Sequence, residues 1–212
     1  MSIQGPFIIG IAGPSGSGKT TIAKRVATAL GAQVLSLESY YHDLSKVSLE
    51  ERGRRNFDSP EALDAELLVE HVQSFSQGKD IHVPVYDFAT HTRVLNKSVL
   101  VKSSPILIVE GILVLSWPEL RARFDLSFYL DAADAMCFER RMVRDIVERQ
   151  RTQEFIRRQY QETVLPMAIR HVYPTKAYAN FVIDVAKEIS TVENTVLSHI
   201  QSQPRWAASM QV

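Results

Sequence analysis

Short apolar runs alternate along the chain with longer segments of helical periodicity. The apolar runs occupy residues 7–12, 33–37, 105–109, 126–130 and 180–183. Strands that alternate with helices are typical of βαβ units, so the pattern predicts an α/β fold with three layers, in which helices cover both faces of a mostly parallel central sheet. The run at 105–109 is the most apolar and is expected to be a central strand.

Helical periodicity is clearest in three segments. Residues 20–30 form the first, and Gly31 is its stop signal. The second is expected to begin at Ser59-Pro60-Glu61, to bury an apolar face from Leu63 to Phe75, and to end at Gly78. The third is a long arginine-rich helical region from Ala133 to about residue 170.

Two further segments complete the predicted organisation. Residues 81–86 alternate between apolar and polar side chains, and 99–101 follow after a polar stretch, which predicts a small antiparallel β-hairpin inserted at about 80–102. The tail after Gln201 is polar and rich in small residues, so we expect it to be frayed. With no linker or repeat in between, residues 1–212 are interpreted as one domain.

Composition narrows the class of protein. The 212 residues are 45% hydrophobic and 23% charged, and the formal net charge is zero. This balance does not indicate a nucleic-acid or membrane partner, and no apolar stretch approaches the ~20 residues that span a bilayer. The N-terminus lacks a signal-peptide pattern, and Cys137, the single cysteine, is expected to be a packing residue. We therefore expect a cytoplasmic enzyme.

The strongest motif is the phosphate-binding loop (P-loop) behind the first apolar run. Residues 13–20 read Gly-Pro-Ser-Gly-Ser-Gly-Lys-Thr, and a helix pattern follows. In such a loop the backbone N–H groups and the helix N-terminus surround the phosphates of a nucleoside triphosphate. Lys19 is expected to reach the β- and γ-phosphates, and the Thr20 hydroxyl to bind Mg²⁺. The predicted nucleotide-binding residues are Gly13, Pro14, Ser15, Gly16, Ser17, Gly18, Lys19, Thr20 and Thr21.

Two carboxylates follow predicted strands and therefore fall at the same edge of the sheet as the P-loop. Glu110 ends the run at 105–109, where a carboxylate can hold Mg²⁺. Glu38 follows the second run, where it can accept a proton from a substrate hydroxyl. Asn96-Lys97-Ser98-Val99 lacks the aspartate of a guanine-binding motif, and a transport-ATPase signature is absent, so a small-molecule phosphotransferase is favoured.

Arginines are concentrated in the third helical segment. A phosphoryl group in transit is stabilised by nearby cations, which a mobile lid at about 140–158 can supply. We expect Arg140, Arg144 and Arg151 to share one helical face, and Arg141, Asp145 and Arg149 to form solvated pairs at four-residue spacing. About two of these arginines are expected to act on phosphate, with Arg149 and Arg151 as the first candidates.

Taken together, the motifs resemble the uridine–cytidine kinases, within the uridine kinase and phosphoribulokinase group of P-loop NTPase folds. The similarity runs from about residue 5 to residue 183. Beyond the P-loop, the most particular motifs are Asn-Phe-Asp-Ser-Pro at 56–60, Pro-Val-Tyr-Asp-Phe at 84–88, His-Thr-Arg at 91–93, Val-Glu-Gly-Ile-Leu at 109–113 and Arg-Arg-x-x-Arg-Asp at 140–145.

The resemblance implies transfer of the γ-phosphate of ATP or GTP to the 5′-hydroxyl of uridine or cytidine. It also implies that Asp58, assisted by Arg144, holds the ribose hydroxyls. The base would lie against Tyr86, Phe88 and His91, with Gln159 nearby. A homotetramer is implied as well. Without the resemblance, Tyr86 and Phe88 would be interpreted as core residues.

The chain departs from the family pattern at several positions. Glu38 stands where the family usually has a catalytic aspartate, and Gln150 replaces a glycine of the lid pattern. Ser59 and Asp184-Val185-Ala186 also differ from the family residues. The alternatives are a kinase for another hydroxylated metabolite, such as a phosphorylated pentose or a vitamin precursor, and a nucleotide-binding regulator in which Glu38 impairs catalysis.

Overall fold

The computed structural model describes residues 5–209, and its side chains through residue 206. The described strands are β1 (Phe7–Ala12), β2 (Gln33–Ser36), β3 (Ile81–Asp87), β4 (Thr92–Val101), β5 (Ile106–Glu110), β6 (Leu126–Asp131) and β7 (Phe181–Asp184). The described α-helices are α1 (Lys19–Leu30), α2 (Leu49–Gly53), α3 (Ala65–Ser76), α4 (Pro118–Arg121), α5 (Asp134–Val147), α6 (Gln153–Gln159), α7 (Leu165–Met167), α8 (Ile189–Gln201) and α9 (Pro204–Ser209). Residues 1–4, where the sequence lacks a signal-peptide pattern, and residues 210–212 of the predicted frayed tail lie outside this description.

Within the described chain, the main sheet has the order β2-β5-β1-β6-β7, and every pairing in it is parallel. Helices cover both faces, so the predicted three-layer α/β fold is confirmed. Strand β5 is an interior strand, as its apolar sequence predicts, although β1 holds the middle position. Since parallel strands end at one edge, the residues after β1, β2 and β5 are brought together there.

Strand β1 is buried on both faces and separates the two parts of the core. Ile9 and Ile11 pack on one side with residues of α1 and α8, whereas Ile8 packs on the other with residues of α3. Strands β3 and β4 form a separate antiparallel hairpin beside this sheet. No helix of the described residues is long and apolar enough to cross a membrane.

The predicted start of the second helix is wrong. Residues Pro60–Ala62 form only a 3-10 turn, and α3 begins five residues later than Pro60, at Ala65. Asp64 is the N-cap, because its carboxylate accepts a hydrogen bond from the backbone N–H of Leu67 at 3.1 Å. The extended conformation of Leu63, which bridges to Tyr41, prevents the helix from starting earlier.

The long arginine-rich helix is also interrupted. Helix α5 ends at Val147, and α6 begins at Gln153. The link contains Gln150 in the left-handed backbone region, with φ +53°. Beyond α6, the chain continues through π-helical turns at Tyr160–Val164 and Ala168–Val172 and a 3-10 segment at Tyr173–Tyr178. Arg151 therefore does not share a helical face with Arg140 and Arg144.

The described part of the C-terminal tail is ordered rather than frayed. It forms α9, and Trp206 is buried with its ring edge-on to Phe7, at 6.1 Å between ring centroids. The large apolar area of an indole favours this burial, although its neighbours in sequence are polar or small. Cys137 is buried in α5 as predicted.

Candidate active site

The P-loop connects β1 to α1 at the carboxyl edge of the sheet. Gly13, Gly16 and Gly18 all have positive φ angles, at +148°, +90° and +88°. A Cβ atom on Gly16 would also collide with the backbone carbonyl of Cys137, so α5 packs directly against the loop. Glycine is therefore required both for the conformation and for the close approach.

Lys19 projects from the first turn of α1 into the same edge. Burial lowers the pKa of its ammonium group from the usual value, while the carboxylates of Glu110 and Glu38 act in the opposite direction. An ammonium group in this position is a point charge available to the phosphates of a nucleotide.

Glu110 is 2% exposed at the end of β5, and both of its carboxylate oxygens are held by hydroxyl groups. Thr20 Oγ1 donates to Oε2 at 3.1 Å, and Ser36 Oγ donates to Oε1 at 2.8 Å. The register explains the arrangement, because Ser36 and Ile11 both lie opposite Glu110 in the sheet. The sequence analysis missed Ser36, whose only signal is a polar residue at the end of an apolar strand.

The donor set around Glu110 fits Mg²⁺. Mg²⁺ prefers oxygen ligands and usually combines one or two carboxylates with water and substrate phosphates. Thr20 and Glu110 supply a hydroxyl and a carboxylate beside the P-loop. Among the residues that the structure describes, no group of three or more His, Cys, Asp or Glu side chains could hold a metal ion.

Glu38 and Asp58 are two carboxylates that line the same cleft. Glu38 belongs to the 3-10 turn Leu37–Tyr40, its side chain is 50% exposed, and its Oε1 lies 4.0 Å from Arg149 Nη2. Burial raises the pKa of Asp58, while Arg141 and Lys19 act to lower it. The positive charges of Lys19 and Arg149 therefore act on both carboxylates.

Aromatic rings form one wall of the cleft. The ring centroid of Tyr86 lies 5.0 Å from that of Tyr41 and 5.2 Å from that of Phe88. The ring of Phe57 stacks on the imidazole of His91, with 5.2 Å between their centroids. The buried hydroxyl of Tyr86 has no hydrogen-bond partner among the described residues. Tyr41 and Phe57 were not predicted as site residues, although Phe57 lies in a motif that carries the family resemblance.

The same cleft is also lined by an arginine cluster, which comprises Arg141, Arg144, Arg149 and Arg151. The expectation of solvated pairs here is wrong, because Arg141 is 5% exposed and Asp145 is fully buried. Arg141 also donates to Ser15 Oγ in the P-loop at 2.9 Å and to Gln159 Oε1 at 2.9 Å. The sequence analysis did not select Arg141 as a site residue, because adjacent arginines do not reveal which one faces inward.

These features line one cleft of about 510 Å³. Gly13, Pro14 and Ser17 shape the P-loop without lining the cleft. Every other predicted site residue lines it, namely Ser15, Gly16, Gly18, Lys19, Thr20, Thr21, Glu38, Asp58, Tyr86, Phe88, His91, Glu110, Arg144, Arg149, Arg151 and Gln159. The arrangement brings the phosphate-binding loop, the carboxylate of Glu38 and the aromatic wall into a single space.

Comparison with known proteins identifies the family. A match to the Phosphoribulokinase / Uridine kinase family covers residues 8–192. The chain belongs to this family. It is 44% identical over 181 residues to a uridine kinase from Halalkalibacterium halodurans, covering 84% of this chain and 85% of that one. It is 39% identical over 199 residues to a uridine kinase from Clostridium novyi, covering 92% and 95% of the two chains.

Solved structures support the same fold. A putative fructose transport system kinase from Silicibacter sp. TM1040 has a TM-score of 0.71 at 22% identity, with 86% of this chain and 91% of that chain covered. Phosphoribulokinase from Rhodobacter spheroides has a TM-score of 0.64 at 14% identity, with 87% and 74% covered. With the family established, the protein is an ATP-dependent phosphotransferase of the P-loop type.

Proposed function

We propose that this family member transfers the γ-phosphate of ATP or GTP to the 5′-hydroxyl of uridine or cytidine. The observation that carries the proposal is the aromatic wall that lines the same cleft as the P-loop, with the Tyr86 hydroxyl buried and unpartnered within the described chain. A flat base can stack on such rings, and its polar edge can satisfy that hydroxyl. The relatives named uridine kinase support the same class of acceptor.

In the proposed complex the acceptor lies between the aromatic wall and the arginine cluster. Tyr86, Phe88 and His91 contact the pyrimidine, with Gln159 nearby, and Asp58 accepts hydrogen bonds from the ribose hydroxyls. This orientation directs the 5′-hydroxyl toward Glu38 and the P-loop, which line the same cleft. Arg144, which lines the same cleft, assists Asp58 in this complex.

The donor phosphates lie in the P-loop, with Lys19 beside the β- and γ-phosphates. Thr20 and Glu110 would hold Mg²⁺, which when bound neutralises phosphate charge. Ser36 keeps the Glu110 carboxylate oriented toward Thr20, since it donates to the other carboxylate oxygen.

Glu38 acts as the general base of an in-line transfer. As the 5′-oxygen forms its bond to the γ-phosphorus, Glu38 accepts the hydroxyl proton, and the bond from that phosphorus to the β–γ bridging oxygen breaks to release the nucleoside diphosphate. Arg149 and Arg151 stabilise the charge on the migrating group. Closure of the lid that carries them excludes water and limits hydrolysis of the donor.

A matrix of acceptors and donors tests the proposal. Purified protein with Mg²⁺ and either ATP or GTP is incubated with uridine, cytidine, a purine nucleoside, a phosphorylated pentose or a vitamin precursor, and products are separated by chromatography. We expect UMP or CMP to form, and we expect Glu38→Gln to slow product formation by about 10²–10⁴-fold while ATP binding persists. A folded, ATP-binding wild-type protein that leaves both pyrimidine nucleosides unchanged would rule out the proposed function.

The resemblance also supports two further expectations about the protein in its cell. We propose that it acts in the cytoplasm as a homotetramer that binds small molecules. Light scattering on the purified chain measures the assembly directly, and a monomer at micromolar concentration would contradict the proposed tetramer.

A further inference from the structure

Asp145 is a buried carboxylate at the centre of the arginine cluster. Its Oδ1 lies 2.8 Å from Arg144 Nη2 and 3.6 Å from Arg149 Nη1. Its Oδ2 lies 3.3 Å from Arg151 Nη1 and 3.6 Å from Arg141 Nε. Each carboxylate oxygen is therefore shared by two guanidinium groups, and the Asp145 side chain has no exposed surface.

The shared carboxylate reduces the electrostatic repulsion between the arginines of this cluster. Guanidinium groups held close together repel each other, and the repulsion is strongest where water is excluded. Burial alone would raise the pKa of Asp145, but Arg141, Arg144 and Arg149 outweigh it and lower that pKa below the usual value. Asp145 is thus negatively charged at neutral pH and offsets part of the repulsion.

The same arginines reach from Asp145 into the cleft. Arg141 Nη1 donates to Ser15 Oγ of the P-loop at 2.9 Å. Arg149 lies 4.0 Å from Glu38 and places its guanidinium 5.3 Å from the ring centre of Phe88. Gln159 Oε1 accepts hydrogen bonds from Arg141 and, at 3.1 Å, from Arg151. Movement of Asp145 would therefore displace arginines that contact Ser15 of the P-loop and approach Glu38.

The backbone around Asp145 contributes to the same arrangement. The carbonyl oxygen of Asp145 accepts a hydrogen bond from the backbone N–H of Arg151 at 3.0 Å. Gln150 adopts its positive φ in the link that makes this contact. The link turns back on α5, so that Arg149 and Arg151 face the same carboxylate as Arg141 and Arg144.

We propose that Asp145 is a positioning residue for phosphoryl transfer, which holds the arginine cluster in one geometry before the phosphates bind. The proposal rests on the proposed kinase function but assigns Asp145 no contact with substrate. Preorganised donors lower the activation barrier because they need no rearrangement at the moment of reaction. The role of Asp145 is therefore to increase kcat, not to increase the affinity for the phosphate groups.

Asp145→Asn tests this role, because it keeps the shape of the side chain and removes its charge. We expect kcat for nucleoside phosphorylation to fall by about 100-fold, the scale of a small misplacement of catalytic groups. We expect the affinity for inorganic tripolyphosphate, measured by calorimetry, to rise several-fold, since a negative charge near the anion is lost. A structural role alone would not move these two quantities in opposite directions.

Asp125→Asn is the matched control. Asp125 is also a largely buried carboxylate; it accepts a hydrogen bond from the backbone N–H of Ile8 at 2.8 Å and pairs with Arg205. It precedes β6, at the sheet edge opposite the cleft. We expect this variant to lose thermal stability while kcat and tripolyphosphate affinity stay within twofold of the wild-type values.

The outcomes separate the positioning role from the proposed function. A kcat of Asp145→Asn within threefold of wild type would overturn the positioning role, as would unchanged or weaker tripolyphosphate binding in a folded variant. A wild-type protein inactive on both pyrimidine nucleosides would refute the proposed function instead. In that case the tripolyphosphate measurement alone decides, because it requires no acceptor: tighter binding supports the role of Asp145, and unchanged or weaker binding overturns it.

Discussion

Shortening Glu38 to aspartate tests whether glutamate is the working base of this protein. The 3-10 turn that carries Glu38 is firmly held by its neighbours. Leu37 and Tyr40 are 2% and 0% exposed, and Tyr40 Oη lies 2.7 Å from His71 Nδ1. Arg93 donates to the backbone carbonyl of Tyr40 at 3.3 Å. The backbone therefore cannot shift easily to compensate for a shorter side chain.

The expected magnitude follows from the lost methylene. In Glu38→Asp the carboxylate retracts by roughly one C–C bond, about 1.5 Å. The distance to Arg149, which is 4.0 Å in the wild type, then exceeds the range of an ion pair. A displacement of this size costs about 100-fold in kcat, or about 2.7 kcal/mol in activation free energy.

The assay is steady-state kinetics with saturating Mg²⁺ and ATP and with varied uridine. Glu38→Asp is expected to lose about 100-fold in kcat with little change in KM, and Glu38→Gln, which cannot accept the proton, about 10²–10⁴-fold. Thermal denaturation is the control that tests whether both variants are folded. If Glu38→Asp is as active as the wild type or more active, the chain is poorly adapted to glutamate and the reasoning fails.

Four further predictions concern stability and binding. Arg93→Met breaks the 3.1 Å ion pair with Asp64 and should cost about 2–3 kcal/mol, or about 4–12 °C in Tm; a change below 1 °C would contradict it. Tyr86→Phe should raise the nucleoside KM about tenfold without lowering Tm, and an unchanged KM would argue against contact with the base. Gln150→Gly should raise Tm by about 1–4 °C, because glycine tolerates the φ of +53°; a lower Tm would show that the side chain stabilises the link. Burial and nearby arginines lower the pKa of His91 from its usual value of 6.5, so the imidazole is neutral at pH 7 and protonates only as the pH falls further. The nucleoside KM should therefore stay flat from pH 8 to pH 7, and a rise within that range would refute the assignment.

The local pattern of residues was enough to predict the sheet and the nucleotide end of the cleft. Short apolar runs identified the strands of the main sheet, and the spacing of glycines before Lys19 identified the P-loop. Glu110 could be predicted because it ends a buried strand, and parallel strands end at one edge. Each of these features depends on a few consecutive residues, so it could be predicted without knowledge of the tertiary structure.

Element boundaries and the burial of the C-terminal tail were less predictable. Ser59-Pro60-Glu61 is a good helix start by composition, but the pairing of Leu63 with Tyr41 moved the start to Ala65. Trp206 lies in a polar tail and is nevertheless buried against the first strand. In both cases a contact that is distant in sequence outweighed the local preference.

By itself, the sequence determined the α/β class, the P-loop and the family motifs, because periodicity and spacing act within one strand, loop or helix. Only the tertiary structure decided that Ser36 holds Glu110, that Tyr41 and Phe57 join the aromatic wall, and that Asp145 gathers the arginine cluster. These arrangements depend on which side chains face each other across elements. Burial then decides which charges act in low dielectric and which are screened by water.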